Sequence, residues 1–179
     1  MIGKLIIIAS LIAMMILMFR RKNAQGSKDA SLKDNYRKTP DGYPAHPDDC
    51  GPASLITILE FFGKLVPLDE MRAETDTREK IGCNALSLKH AAEHYGLECK
   101  AYRTKPDVLM TIETPCIIHL NNNYFVVFEG FRDGSFYIND PADGRKTISQ
   151  GEMEERFSGV VLTFKKTDRF QPSWETSRD

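Results

Sequence analysis

The stretch "HPDDCGPASLITIL", His46 to Leu59, sets a cysteine, Cys50, at the mouth of an amphipathic pattern. The unpaired N–H groups at a helix start favour negative charge, so a thiol there is placed as a nucleophile would be. A thiol attacks as thiolate, and an ordinary pKa near ~8.5 leaves only a small fraction ionised at neutral pH unless an imidazole assists. Two acidic residues, Asp48 and Asp49, sit directly before the sulfur and oppose its ionisation. Candidate imidazoles are few. His46 lies in an extended, proline-flanked segment from which it could fold back to Cys50, and His119 lies in an apolar run, "CIIHL", far along the chain. His90 and His94 stand one helical turn apart, a spacing open to a metal, but no third ligand accompanies them and a solvated helix face is the simpler reading. Asp140, in "NDPADG", has the sequence context of a turn residue.

The remaining cysteines, Cys83, Cys99 and Cys116, are widely spaced, with no CxxC pair, which argues against a zinc knuckle or a dithiol redox motif. They are expected as core or strand residues. A formal charge of -1 and a hydrophobic fraction of 41% over 179 residues describe one folded domain with sequence to spare. The basic excess of a nucleic-acid binder is missing, so no nucleic-acid partner is expected. No GxxxxGK[ST] phosphate loop occurs, so this sequence carries no ATPase of its own, and no cofactor is expected.

The elements that must position these residues fall into two groups. After Cys50-Gly51-Pro52, the residues Leu55, Ile56, Leu59 and Phe62 form one apolar stripe of a helix that Gly63 stops. A short helix fits "LDEMRAET", and "NALSLKHAAEHYG" is a helix capped by Asn84 with Leu88, Ala91, Ala92 and Tyr95 inward. From there the pattern changes to short apolar runs rich in Val, Ile, Phe and Tyr. "ECKAYR", "CIIHL", "YFVVFEGF", "SFYIND", "KTIS" and "GVVLTF" read as strands, with a last short helix over "QGEMEERF". Asp-Gly in "FRDGSF" makes a hairpin. Helices followed by an antiparallel sheet give the class α+β.

Together these segments resemble the C39 family of cysteine peptidases, papain-like domains that remove leader peptides after a double-glycine site, usually at the N-terminus of bacteriocin-exporting ABC transporters. "DDCGPASLITILEFFGK" is similar to the family's nucleophile helix and "CNALSLKHAAEHYGLECKAYR" to its second helical region. "TPCIIHLNNNYFVVFEGF" and "YINDPADGRKTIS" resemble the sheet that carries the other catalytic groups, and "FSGVVLTFKKTDRFQP" the end of the domain. With "GCNA", that end is most similar to the branch associated with nitrile-hydratase-like leaders. The resemblance implies that Cys50 holds the nucleophile position and Asp140 that of the acid orienting the catalytic histidine. The histidine position is Tyr124, and the position of the oxyanion-hole glutamine is Pro44.

Those two differences carry chemical weight. A phenol with an ordinary pKa near ~10 is neither a base at neutral pH nor a cation for a thiolate. Proline has no side-chain donor for an oxyanion. General acid–base help is worth about 10²–10⁴ in rate and an oxyanion donor about 10²–10³. The expectation is a domain that binds a double-glycine leader peptide of a ribosomally made precursor with weak or no cleavage. The alternative is an active peptidase that cuts such leaders before export, with His46 or His119 in the role of the absent base.

The N-terminus bears on location. "MIGKLIIIASLIAMMILMF", Met1 to Phe19, is apolar but for Lys4 and Ser10, and nineteen residues of helix span about 29 Å, near the hydrocarbon thickness. Its length, and the lack of a small-x-small site before Arg20, favour a retained single-pass anchor over a cleaved signal peptide. Arg20, Arg21 and Lys22 outweigh Lys4 on the other flank, which puts the domain in the cytoplasm with its thiols reduced. The expected organisation is an anchor over residues 1–19, a flexible basic and polar linker over 20–42, the C39-like domain over 43–165 and a polar tail over 166–179, in which Phe170 and Trp174 could dock. An ABC exporter would be a separate partner.

Overall fold

The computed structural model describes residues 34–42, 46–77, 82–121 and 123–173. The expected anchor, most of the expected linker, Pro44 and Trp174 lie outside the described residues. Among the described residues no helix is long and apolar enough to cross a membrane.

Among the described residues, four α-helices and six strands follow the order read from periodicity. Helix α1 spans Cys50–Phe62, α2 Leu68–Glu74 and α3 Ala85–His94. Strands β1 (Leu97–Arg103), β2 (Cys116–Leu120), β3 (Tyr124–Arg132), β4 (Ser135–Asp140) and β5 (Gly144–Ile148) lead to α4 (Gln150–Arg156) and β6 (Phe157–Lys166). The strands form one sheet in the order β1-β6-β2-β3-β4-β5, every neighbouring pair antiparallel. Helix starts and stops match their chemistry. Asn84 accepts hydrogen bonds from the Leu86 and Ser87 N–H groups, and Gly63 ends α1 at φ 101°, a left-handed conformation in which a side chain would be strained. Asp133 and Gly134, at φ 49° and 75°, make the two-residue turn between β3 and β4.

One feature of α1 departs from the single apolar stripe. Every residue from Cys50 to Leu59 is buried, because α1 is covered by β3 on one side and by α2 and α3 on others. Its two buried hydroxyls are satisfied locally: Ser54 donates to the Phe125 carbonyl at 3.3 Å and Thr57 to the Ala53 carbonyl at 3.0 Å. Leu55, Ile58 and Leu59 are fully buried and each stabilises the fold by about 1.5–3 kcal/mol. That packing fixes where the first turn of α1, and Cys50, meets the sheet.

The polar composition of residues 20–42 reads as a tether, but its described end, residues 34–42, is laid along the sheet. Asn35 donates to the carbonyls of Leu109 and Ile112 and accepts from Phe131 N–H, and Arg37 N–H reaches the Glu129 carbonyl. Thr39 donates through its N–H and hydroxyl to Glu129, which is 0% exposed and also paired with Arg145 at 2.8 Å. Gly130 is needed opposite this segment, since a Cβ there would sit 2.5 Å from Tyr36 Cα. At the other end, Phe170 is buried edge-on against Phe62, so the packing continues into the stretch expected as tail. Composition could not show either, because the contacts are few, specific and distant in sequence.

Arg145→Met strands the Glu129 carboxylate without a cation. We expect a loss of about 3 kcal/mol in denaturant unfolding, with new protease cleavage within residues 34–42. A change below about 0.5 kcal/mol, the usual size for a surface site, would refute the clamp.

Candidate active site

The site is built where the first turn of α1 meets the start of β3. A 3₁₀ turn, Pro47–Asp49, delivers the chain to Cys50, and Asp49 gives α1 no side-chain cap. Its carboxylate turns instead to Arg72 of α2, which holds both oxygens at 2.8 and 2.7 Å. This bidentate pair offsets part of the charge that the sequence places beside the sulfur. Cys50 is 5% exposed, and its Sγ accepts from Phe125 N–H at 3.4 Å. Burial pushes the Cys50 thiol above its ordinary range; the Phe125 and Gly51 N–H groups pull it back in part, while the charges of Asp140 and Asp49 push it further up. Burial thus favours the thiol over the thiolate.

Tyr124 opens β3, and its hydroxyl donates to Asp140 Oδ1 at 2.7 Å. Ala142 N–H reaches the same oxygen at 3.0 Å, and the Lys146 ammonium lies 2.7 Å from Oδ2. Burial alone would raise the Asp140 carboxyl, whose side chain is 4% exposed; Lys146, Tyr124 and the Ala142 N–H outweigh it and hold the group below the usual carboxylate range. Tyr124 moves the other way. Burial first, then the adjoining carboxylate and the proximity of Cys50, hold its phenol well above the ordinary value. The hydroxyl therefore keeps its proton and directs it at Asp140.

The histidines stand elsewhere. His119 pairs in register with Phe125, whereas Tyr124 pairs with Leu120. Its ring packs edge-on against Phe125, and its two nitrogens meet Ser158 Oγ at 2.7 Å and Asn123 Oδ1 at 3.2 Å. His46 is 70% exposed and turned to Asp48 at 3.4 Å. His90 is exposed on α3, and His94 lies 3.7 Å from Glu74. Among the described residues no side-chain nitrogen is hydrogen-bonded to Cys50 Sγ. Pro44 lies outside the described residues. A pocket of about 320 Å³, lined by His46, Asp48, Asp49, Arg72 and Thr77, opens beside the turn that precedes Cys50.

Three contributors were not singled out from sequence. Arg72 lies on a short amphipathic helix and carries no motif. Cys83 packs against the first turn of α1, where a Cβ on Gly51 would collide with its sulfur, and burial with the proximity of Cys50 pushes its thiol up to about 12. Lys146 is placed by strand register: the pairings Asp140 with Gly144 and Ile138 with Lys146 put it on the Asp140 face of the hairpin, and strand alternation sends Arg145 the other way to Glu129.

The sequence profile of the peptidase C39 family matches residues 44–169. The chain belongs to the peptidase C39 family. It is 30% identical over 135 residues to the colicin V secretion/processing ATP-binding protein of Escherichia coli, a match covering 75% of this chain and 19% of that protein. It is 28% identical over 124 residues to a probable functional amyloid protease of Pseudomonas fluorescens, covering 63% of this chain and 54% of that protein. The chain thus spans about one-fifth of the first relative and half of the second. Among solved structures, a double glycine motif protease from an AMS/PCAT transporter, in complex with the leader peptide, superposes with a TM-score of 0.71 at 40% identity, over 74% of this chain and 95% of that one. The peptidase domain of Streptococcus ComA shares the fold at a TM-score of 0.67 and 20% identity, over 71% of this chain and 98% of that one. The C39 match begins at residue 44, so residues 34–42 are packed structure outside it.

Because Cys50 is raised and has no imidazole, alkylation of its peptide by iodoacetamide is expected to stay slow at pH 7–8 and to rise only in the alkaline range. A plateau of full reactivity already at pH 6 would contradict this.

Proposed function

We propose that this C39 domain binds a double-glycine leader peptide of a ribosomally made precursor and does not cleave it at an appreciable rate. The observation that carries the reading is the Tyr124 hydroxyl spent on Asp140 at 2.7 Å, beside a sulfur whose hydrogen-bonding partner is a backbone N–H. Amide cleavage needs a base to take the thiol proton and an acid to return it to the leaving amine. A phenol held well above its ordinary pKa does neither. The relatives support the substrate class: the 40% identical structure is described as a double glycine motif protease in complex with the leader peptide.

In this reading residues 1–19 form a single-pass membrane anchor and the domain lies on the cytoplasmic side. The bound leader is presented to a separate ABC exporter. The length and apolarity of that run and the Arg20-Arg21-Lys22 cluster after it support the arrangement. The alternative, an active leader peptidase, draws on one observation: Cys50 remains at a helix start with the Phe125 N–H on its sulfur, and that N–H lowers the thiol against the upward push of burial.

The test is a binding and cleavage assay of the full chain with a double-glycine leader peptide. We expect binding that survives Cys50→Ala, turnover at least about 10²-fold below that of an intact Cys–His site, and a higher rate in Tyr124→His. Rapid turnover by the natural chain, abolished in Cys50→Ala, would establish the peptidase alternative instead.

A further inference from the structure

Asp140 offers two carboxylate oxygens, and the fold fills both. Oδ1 receives the Tyr124 hydroxyl and the Ala142 N–H; Oδ2 receives Lys146, which also lies 2.9 Å from Asp143. Lys146 reaches the carboxylate from the neighbouring strand, β5, placed on the same face of the sheet by the Ile138–Lys146 register. In a nucleophile–histidine–carboxylate arrangement, the carboxylate orients the imidazole and stabilises the imidazolium that forms when it takes the nucleophile's proton. A carboxylate already neutralised by an ammonium at 2.7 Å has little of that field left to give.

We propose that Lys146 is a positioning residue which, together with Tyr124, occupies on Asp140 the place of an imidazolium, so that a histidine at residue 124 pairs fully with Asp140 only when Lys146 is changed as well. The inference rests on the reading above, that Tyr124 leaves the site without a base. It adds that restoring histidine at residue 124 restores the imidazole but not the charge that would hold its proton. The Lys146 contact also ties the carboxylate to β5.

The groups that bear on Cys50 come from every element around it. Asp49 precedes α1 and is clamped by Arg72 of α2; Tyr124 comes from β3, Asp140 from β4, Lys146 from β5 and Cys83 from the segment before α3. Asp49 with Arg72 and Asp140 with Lys146 are both carboxylate–cation pairs. Removing the Lys146 cation is the change that releases charge toward a ring at residue 124 without touching the nucleophile.

The experiment compares Tyr124→His, Tyr124→His with Lys146→Met, and Tyr124→His with Lys146→Arg, all in the full chain. Alkylation of the Cys50 peptide by iodoacetamide is followed by mass spectrometry from pH 5 to 10, beside cleavage of a double-glycine leader peptide. The double variant with Met is expected to show thiolate onset about one pH unit below Tyr124→His alone, the low end of the effect of one neighbouring charge. That corresponds to about tenfold more thiolate, and a comparable gain in cleavage, near neutral pH. Arginine at residue 146 keeps the charge and is expected to keep the onset high. Superimposable alkylation profiles for Tyr124→His with and without Lys146→Met would overturn the proposal, as would an onset lowered equally by arginine. Should Met at 146 prevent folding, judged by thermal unfolding, Lys146→Gln makes the same comparison. Cys50-dependent cleavage by the natural chain would defeat the binding-only reading and leave this comparison standing, whereas coincident profiles would defeat this proposal alone.

Discussion

The seating of helix α1 against strand β3 is the constraint on which the rest of the molecule depends. Together with the cover of α2 and α3 it buries ten consecutive residues of α1, Cys50 to Leu59. It also brings the first of them to the start of β3, where Phe125 N–H meets the sulfur and Tyr124 stands next in the chain. A helix covered on several sides has little freedom to rotate or slide without opening cavities, each costing on the order of kcal/mol. The position of Cys50 is therefore a packing result, and it holds whether or not the residue at 124 supports chemistry.

Within that frame, reactivity follows from charge. In a desolvated site the sulfur needs a positive partner to ionise, and among the described residues the site's two cations, Arg72 and Lys146, are each paired with a carboxylate. Tyr124 bridges toward Asp140 as a neutral donor, which satisfies the carboxylate without creating a base. The arrangement is internally complete: among the described residues no buried side-chain nitrogen or oxygen lacks a hydrogen-bond partner. An Asp140 left with neither donor nor cation would be an unpaired buried charge, which is strongly destabilising. The Tyr124–Asp140–Lys146 set avoids that cost and keeps the hairpin end of β4 and β5 in place.

The packed segment over residues 34–42 shows the same use of buried charge for a different purpose. Glu129, 0% exposed on β3, is neutralised by Arg145 and caps Thr39, while Asn139 holds the Thr39 hydroxyl and the Pro40 carbonyl. Such networks specify one geometry because each member satisfies another. The chain is thereby fixed to the sheet shortly before helix α1. Arg145 and Lys146, adjacent in sequence, serve opposite faces of β5: one clamps this segment and the other completes the site.

What the sequence by itself determined is local. Period and turn chemistry were enough for the helices, the six strands, the Asp133–Gly134 hairpin and the Asn84 cap, since each depends on a few neighbouring side chains. The residue types at Cys50, Tyr124 and Asp140 were equally plain, and the inability of a phenol to act as a base follows from its chemistry alone. Tertiary structure decided the rest. That His119 faces Phe125 and Ser158 instead of the sulfur, that Lys146 reaches Asp140, that Cys83 lies against Gly51, and that residues 34–42 dock on Glu129 all depend on strand register and on contacts between distant parts of the chain. One step of register inverts the face of every residue in a strand, and no local pattern encodes which distant carboxylate a lysine will meet.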